Sequence, residues 1–180
     1  MSVPDVLVQV VEGYLFGDLE SMRTEIKMKE MGAVGYPMLM AVLAGSELLG
    51  NLTASSGDPI EHYWKTYMAP VDARYADVAA IAKELCRNGL AHMYLTKPGV
   101  GIVRGEPTRH LAFERSKELI LDCLVLHEHF KQSYEDHARP AIQGSLQHAQ
   151  RRLNALVAHD PTKSAQLLKK LPESRFPTQR

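Results

Sequence analysis

The stretch that decides the fold reads YADVAAIAKELCRNGLAH and spans residues 75–92. Its mostly apolar side chains recur at steps of three and four residues, the spacing that places side chains on one face of an α-helix. The members of this stripe are Tyr75, Val78, Ala82, Leu85, Gly89 and His92. We therefore expect a long helix that packs this face inside the protein and ends near the imidazole of His92.

Helical patterns on both sides of this stretch predict a mainly α fold, a helical bundle. The further helices that we expect cover residues 4–17, 18–29, 37–52, 116–134 and 140–159. Their apolar positions follow the helical repeat, and prolines or capping residues mark their starts. A short aromatic helix at residues 62–68 is expected to fill the core rather than to stack on nucleic-acid bases, because Trp and Tyr bury large apolar areas.

The helical pattern is interrupted directly after the central stretch. Short β-branched segments are separated there by proline–glycine turns, which predicts a small β-hairpin over residues 100–113 or an irregular insertion. We expect this insertion to lie beside the end of the central helix and to bring Lys97, Arg104 and Arg109 towards it. Three cations suit a phosphate-bearing ligand. They are equally compatible with the solvated surface of a hairpin.

The length and the net charge of the chain limit its domain organisation and the ways in which it can bind nucleic acid. With 180 residues, we expect a single helical domain over residues 1–160 and a flexible C-terminal tail over residues 161–180. The 21 basic and 21 acidic residues leave no net charge. This balance argues against a broad basic surface that holds nucleic acid, and it leaves room for a local basic cleft.

The sequence shows none of the patterns that are typical of several kinds of functional site and targeting signal. Cys86 and Cys123 stand alone within apolar helical patterns, which indicates reduced core residues. His127 and His129 lie two residues apart, on opposite sides of a helix, so we expect no metal site there. We find no phosphate-binding loop or dinucleotide fingerprint and expect no cofactor. Without a signal peptide or a long apolar run, we expect a cytoplasmic protein that does not bind membranes.

The end of the central helix carries the one constellation that suggests chemistry. Arg87 precedes His92 by five residues, and Asn88 precedes it by four. A guanidinium donates two parallel hydrogen bonds to phosphate oxygens, and an imidazole transfers protons near neutral pH. Asn88 lies on the same face as His92 and can bond the ring or a substrate. Glu84, one turn earlier, is a candidate carboxylate for orienting these groups.

Residues 87–92, which read RNGLAH, resemble the R-[N/D/H]-x-x-x-H form of the Rx4-6H motif of the HEPN superfamily. This superfamily comprises all-α domains, many of them RNA-cleaving toxins or defence proteins and others non-catalytic. The resemblance implies a metal-independent endoribonuclease of a toxin or phage-defence system, with Arg87, His92 and Asn88 in the catalytic site. It also implies a homodimer, in which two motifs face each other.

The alternative is a non-catalytic dimeric helical module that binds a protein partner or serves as a scaffold. In that interpretation His92 is a core residue that is hydrogen-bonded to a neighbouring carbonyl. Arg87 then pairs with Glu84 or bonds the last carbonyls of its own helix, where a cation is favoured.

Overall fold

The computed structural model describes residues 1–27, 29, 34–93, 96–113 and 117–158, and the side chains of residues 91–93 are outside this description. Within these ranges the chain forms six helices and three short strands, which confirms the mainly α fold. The predicted tail at residues 161–180 lies outside the described residues. That residues 1–160 form a single domain stays a prediction.

The bounds of the helices are as follows. Helix α1 covers residues 3–24 (Val3–Asp5, Val6–Leu15 and Phe16–Thr24), α2 covers Gly35–Thr53, α3 covers residues 59–68 (Pro59–Tyr63 and Trp64–Met68), and α4 covers residues 74–93 (Arg74–Ile81, Ala82–Arg87 and Asn88–Met93). Helix α5 covers residues 123–144 (Cys123–Ser133, Tyr134–Ala138 and Arg139–Gly144), and α6 covers Leu146–Val157. Four of these segments are π-helical, with wider turns than an α-helix: Val6–Leu15, Trp64–Met68, Ala82–Arg87 and Tyr134–Ala138.

Helix α1 passes through Gly17 without a break, so the prediction of two helices, residues 4–17 and 18–29, is wrong. Glycine in a helix interior costs only about 1 kcal/mol relative to alanine. Val11 and Leu19, on either side of Gly17, are both fully buried in the core. Burial of both halves against the same core therefore outweighs the conformational cost of the glycine.

Helix α2 lies at the centre of the bundle and contacts the other five helices. Two glycines allow this close packing. A Cβ atom on Gly45 would lie 2.7 Å from the ring of Phe130, and one on Gly50 would lie 2.0 Å from the carbonyl oxygen of Pro59. Because real Cβ atoms do not approach other atoms so closely, α2 has no room for a side chain at either position.

The aromatic residues of α3 pack in the core beside α2, as predicted. Tyr63 and Trp64 are fully buried, and Tyr67 is almost so. The indole Nε1–H of Trp64 donates to the hydroxyl of Ser46 at 3.2 Å, and the hydroxyls of Tyr63 and Ser133 bond each other at 3.0 Å. The polar ends of Trp64 and Tyr63 are therefore satisfied inside the protein, and these two rings are not available for stacking on bases.

Helix α4 buries a stripe that is shifted from the predicted one. The buried side chains are those of Tyr75, Ala79, Ala82, Cys86 and Leu90. Val78 and Leu85, which the regular pattern placed on the stripe, are only partly buried. Both stripes follow helical spacing, since Ala79, Ala82 and Cys86 are separated by steps of three and four residues. The choice between the two stripes is therefore made by what packs against the helix and not by its local repeat.

The insertion after α4 is a mixed three-stranded sheet rather than a hairpin over residues 100–113. Strands β1 (Val100–Val103) and β2 (Ala112–Phe113) do not pair with each other, and both flank a third strand, β3 (Leu119–Asp122). β1 is parallel to β3 and β2 is antiparallel to it. The predicted helix over residues 116–134 is therefore wrong at its start, since residues 119–122 are a fully buried strand.

The C-terminal part of the described chain also differs from the prediction at Pro140. This proline lies inside α5, two residues after a π-helical segment, and not at the start of the last helix. The chain breaks at Ser145 instead, and α6 begins at Leu146. Among the described helices, none is both long enough and apolar enough to cross a lipid bilayer.

Two glycine substitutions test the packing of α2 and the continuity of α1. We expect Gly50→Ala to lower the free energy of unfolding by about 1–3 kcal/mol or more, because the new methyl group meets the backbone of Pro59. Gly17→Ala is the matched control, since a Cβ at Gly17 meets nothing within 4 Å. It should raise stability by about 0.5–1 kcal/mol. Chemical denaturation measures both, and a Gly50→Ala protein as stable as wild type would contradict this packing.

Candidate functional site

The guanidinium of Arg87 forms an ion pair with Glu47 of helix α2. Its Nε lies 3.1 Å from Glu47 Oε2, and its Nη2 lies 3.3 Å from Oε1. Both side chains are 36% exposed, so the pair sits at the surface between α2 and α4. Exposed ion pairs contribute about 0.2–1 kcal/mol, which makes this contact a minor part of the stability of the protein.

The partner of Arg87 is not one of those proposed from the sequence, which were Glu84 and the last carbonyls of its own helix. Glu47 lies 40 positions earlier in the chain, and local spacing gave no indication of the contact. One signal was present. Helix α2 has 19 residues, and Glu47 is the single charged residue among them. A single carboxylate in an otherwise uncharged helix is a candidate for an ion pair or a functional role.

Asn88 lies beside Arg87 and is held by Glu84. Its Nδ2 donates to Glu84 Oε2 at 3.4 Å, a long hydrogen bond at the surface. Glu84 also pairs with Lys83 at 3.3 Å, and Lys83 reaches Asp58 at 3.5 Å. The surface around the motif is therefore a network of paired charges that links α3 and α4, with Asn88 at its edge.

His92 lies in the last turn of α4, in the segment Asn88–Met93. Its side chain lies outside the described residues. The backbone places it at the same helix end as Arg87 and Asn88. A catalytic role for Arg87, Asn88 and His92 stays a prediction.

The three cations of the insertion have separate surroundings. The backbone N–H of Lys97 donates to the carbonyl of Leu85 at 2.8 Å, which returns the chain to α4. Arg104 is only 8% exposed, and its Nη2 donates to the carbonyls of Met22 and Arg23 in the last turn of α1. This is a favourable place for a cation, because carbonyls at a helix C-terminus carry partial negative charge.

Arg109 forms an ion pair with Glu106 at 2.6 Å across the short 3-10 turn Pro107–Arg109. Of the three residues, Lys97 thus has a contact with the motif helix, whereas the contacts of Arg104 are with α1. A substrate-binding role for Lys97, Arg104 and Arg109 stays a prediction.

A second polar cluster lies inside the protein, and the sequence did not predict it. We call it the Tyr75 cluster; it consists of Tyr75, His110, His129 and Asp122. The hydroxyl of Tyr75 lies 2.8 Å from His110 Nε2 and 3.0 Å from His129 Nδ1. The backbone N–H of Asp122 donates to His110 Nδ1 at 3.1 Å. These contacts join α4, the turn before β2, the end of β3 and α5.

The direction of each hydrogen bond in the Tyr75 cluster follows from the backbone amide. An amide N–H can only donate, so His110 Nδ1 must be the acceptor and the ring proton must sit on Nε2. His110 Nε2–H then donates to the oxygen of Tyr75, whose own proton goes to His129 Nδ1. His129 therefore carries its proton on Nε2. Both imidazoles and the phenol are neutral in this arrangement, and the chain of bonds leads from the backbone of β3 to the partly buried ring of His129.

Burial keeps this chain neutral. The pKa of His110 is lowered to about 4, mainly by burial and to a smaller extent by the neighbouring His129, against the opposite effect of Asp122. Burial likewise lowers the pKa of His129 and raises the pKa of Tyr75. Arg74, next to Tyr75, donates from Nη1 to the backbone carbonyl of His110 at 3.1 Å. The uncharged hydrogen bonds between the two imidazoles and Tyr75 thus fix the turn before β2 to α4 and α5.

Asp122 gives the cluster a second function at the start of α5. Its Oδ1 accepts hydrogen bonds from the N–H groups of Leu124 and Val125, and its Oδ2 accepts one from Glu106 N–H at 2.6 Å. The first two bonds are an N-cap, which satisfies donors that have no partner within the helix.

His129, discussed above as half of a His127–His129 pair, belongs to this cluster. In the described part of the chain, no group of three His, Cys, Asp or Glu side chains is placed to bind a metal ion.

Both cysteines are free and buried in the described structure, as the sequence indicated. Burial raises the pKa of Cys86 to about 12 and that of Cys123 to about 11. Thiols are therefore the predominant form at neutral pH, and neither residue is a reactive nucleophile.

Comparisons of the chain with protein-family models, with curated proteins and with solved structures found no match.

The Tyr75 cluster predicts a loss of stability in mild acid. His110 has a pKa of about 4 in the folded protein and about 6.5 when unfolded, so folding favours its neutral form. The stability that this preference contributes is fully present above pH 6.5 and is lost as the pH falls to 4. We expect His110→Gln to be less stable than wild type at pH 7 and to lose less stability between pH 6.5 and 4. Denaturation curves across this range measure the difference, and equal slopes for the two proteins would contradict the assignment.

Proposed function

We propose that this protein is a HEPN-like, metal-independent endoribonuclease that acts as a cytoplasmic homodimer, of the toxin or phage-defence type. The observation that carries the proposal is the state of Arg87. It stays partly exposed at the helix end that also bears His92, and its Nη1 has no hydrogen-bond partner in the part of the chain that the structure describes. A guanidinium with a free edge at the surface is a ready ligand for a phosphate.

The residue types fit transesterification of RNA. The ribose 2′-oxygen bonds to the adjacent phosphorus, and the bond from phosphorus to the 5′-oxygen of the next nucleotide breaks. One imidazole accepts the proton of the 2′-hydroxyl, and a second acid supplies a proton to the departing 5′-oxygen. Arg87 stabilises the negative charge that builds up on the phosphate oxygens. The products are a 2′,3′-cyclic phosphate and a 5′-hydroxyl, and no metal ion takes part.

This chemistry is the reason for proposing a dimer. Acid–base catalysis needs one group that accepts a proton and one that donates it, and each chain brings a single Arg87–His92 pair. Two motifs that face each other across a two-fold axis supply both imidazoles. Lys97, next to α4, and Arg109 are the candidate contacts for flanking phosphates.

A second candidate function is the non-catalytic dimeric binding module, and one observation favours it. Glu47 already occupies part of the guanidinium of Arg87, and the carboxylates of Asp58 and Glu84 lie close by around Lys83. These carboxylates repel a polyanion such as RNA, so RNA binds here only where Arg87 and its cationic neighbours contact it directly. In this alternative the motif serves to hold α4 against α2.

The deciding experiment incubates wild-type protein and a His92→Ala variant with RNA in EDTA. We expect wild type to cleave and to leave 2′,3′-cyclic phosphate ends. We expect the variant to cleave at least about 100-fold more slowly, because general acid–base catalysis typically contributes that much. Thermal melts check that both proteins are folded, and sedimentation measures whether the active species is a dimer.

Glu20→Ala is the control, because it changes a surface residue on a different helix, α1, where Glu20 pairs with Arg23. Its cleavage rate should equal that of wild type. Wild-type protein that leaves RNA intact, together with a large loss of stability in His92→Ala, would contradict the nuclease and support the binding module.

A further inference from the structure

The contact between Glu47 and Arg87 joins the sole charged residue of α2 to the arginine of the motif. Glu47 stands among 18 uncharged residues in a helix that packs against all the others. Its partner lies on a different helix, and the pair is at the surface, where it adds little to stability. What sets this pair apart from the other surface ion pairs is that its arginine belongs to the motif.

The position of Glu47 is fixed by the packing of α2. Gly45, two residues before it, lies against Leu15 and Phe130 with no space for a side chain, and Gly50, three residues after it, lies against Pro59. Between them, Ser46 accepts the hydrogen bond of Trp64. Because α2 can neither rotate nor slide at these points, the backbone that carries Glu47 is held in place. The carboxylate of Glu47 therefore contacts Arg87 from a fixed position on the bundle.

The atoms that make the contact decide what Arg87 has left to offer. Glu47 takes Nε–H and one N–H of Nη2, which is the side edge of the planar guanidinium. The end edge keeps one hydrogen of Nη1 and one of Nη2, and a guanidinium can bind two oxygens of a phosphate with such an edge. A carboxylate on one edge thus sets the direction in which the other edge points.

We propose that Glu47 is a positioning residue of the Arg87–His92 site, which fixes the side edge of Arg87 so that its end edge meets a phosphodiester of RNA. This inference rests on the nuclease proposed above. Glu47 does not touch the substrate, and it acts through Arg87 alone. Residues that orient metal-binding side chains contribute about 10- to 100-fold to affinity or activity, and we expect an effect of the same size here.

The test measures cleavage by Glu47→Ala, Glu47→Gln, Arg87→Ala and the double variant Glu47→Ala/Arg87→Ala. We expect Glu47→Ala to stay folded and to lower kcat by about 10- to 100-fold, with KM changed by less than about 3-fold. Glu47→Gln should recover part of the rate, since its amide oxygen still accepts a hydrogen bond from Nε. In the Arg87→Ala background, Glu47→Ala should have no further effect, because the residue through which Glu47 acts is gone.

Glu20→Ala again serves as the control for loss of a surface carboxylate. A Glu47→Ala protein that cleaves as fast as wild type, or faster, would overturn the positioning role and leave the nuclease standing. Equal effects of Glu47→Ala with and without Arg87 would overturn it as well.

The affinity for a 2′-O-methyl RNA, which cannot be cleaved, distinguishes failure of the nuclease from failure of the positioning role of Glu47. If wild type binds this RNA but cleaves none, the nuclease fails and the same four variants are compared by affinity. A coupling between Glu47 and Arg87 of less than about 2-fold in affinity then overturns the positioning role. If wild type neither cleaves nor binds RNA, both proposals fall together.

Discussion

The close packing of helix α2 is the constraint on which the rest of the structure depends. Gly45 and Gly50 let α2 approach α5 and α3 to distances at which a single methyl group would collide with a ring or with backbone. The remaining face is apolar and contacts the other helices, so α2 fixes their relative positions. It also fixes one carboxylate, Glu47, at the surface, where it holds Arg87. The geometry of the motif is therefore a consequence of how the core is packed.

The small sheet is tied to this core by polar contacts as well as by apolar burial. Strand β3 is buried along its whole length and runs directly into α5, and Asp122 marks the change by capping the helix with its side chain. The backbone N–H of the same residue sets the tautomer of His110, and through it the hydrogen bonds of Tyr75 and His129. A buried chain with a fixed direction and no charge stabilises one arrangement of helices and sheet, because any reversal leaves a donor without an acceptor.

The helices with regular repeats could be predicted from sequence, and so could the burial of Trp64 and its neighbours, because both follow from local spacing and side-chain size. The continuity of α1 through Gly17 could not, since it depends on the core that both halves share. The buried stripe of α4 includes Ala79 and Cys86 rather than Val78 and Leu85. Both sets follow helical spacing, so the choice between them depends on the neighbouring helices and not on the repeat. Residues 119–122 read as helix because their apolar run joins that of α5. The Asp122 cap was a visible signal for the boundary.

The position of the motif in the fold could be predicted, whereas its contacts could not. Residues 87–92 stand at the end of a helix, as the pattern indicated, and Arg87 is at the surface. Glu47 was missed because pairing across 40 positions depends on the fold, although its isolation in an uncharged helix was visible in the sequence. The Tyr75 cluster was missed for the same reason, since its members come from four separate segments of the chain.

We propose that Arg87, with His92, acts on a phosphate beside a ribose 2′-hydroxyl. The most direct measurement uses a DNA oligonucleotide with one ribonucleotide, incubated in EDTA with wild type and with Arg87→Ala. The account predicts a single cut on the 3′ side of the ribonucleotide, with a 2′,3′-cyclic phosphate end, and a rate lower by about 100-fold or more in the variant. Cleavage at deoxynucleotides, or equal rates for the two proteins, would contradict it.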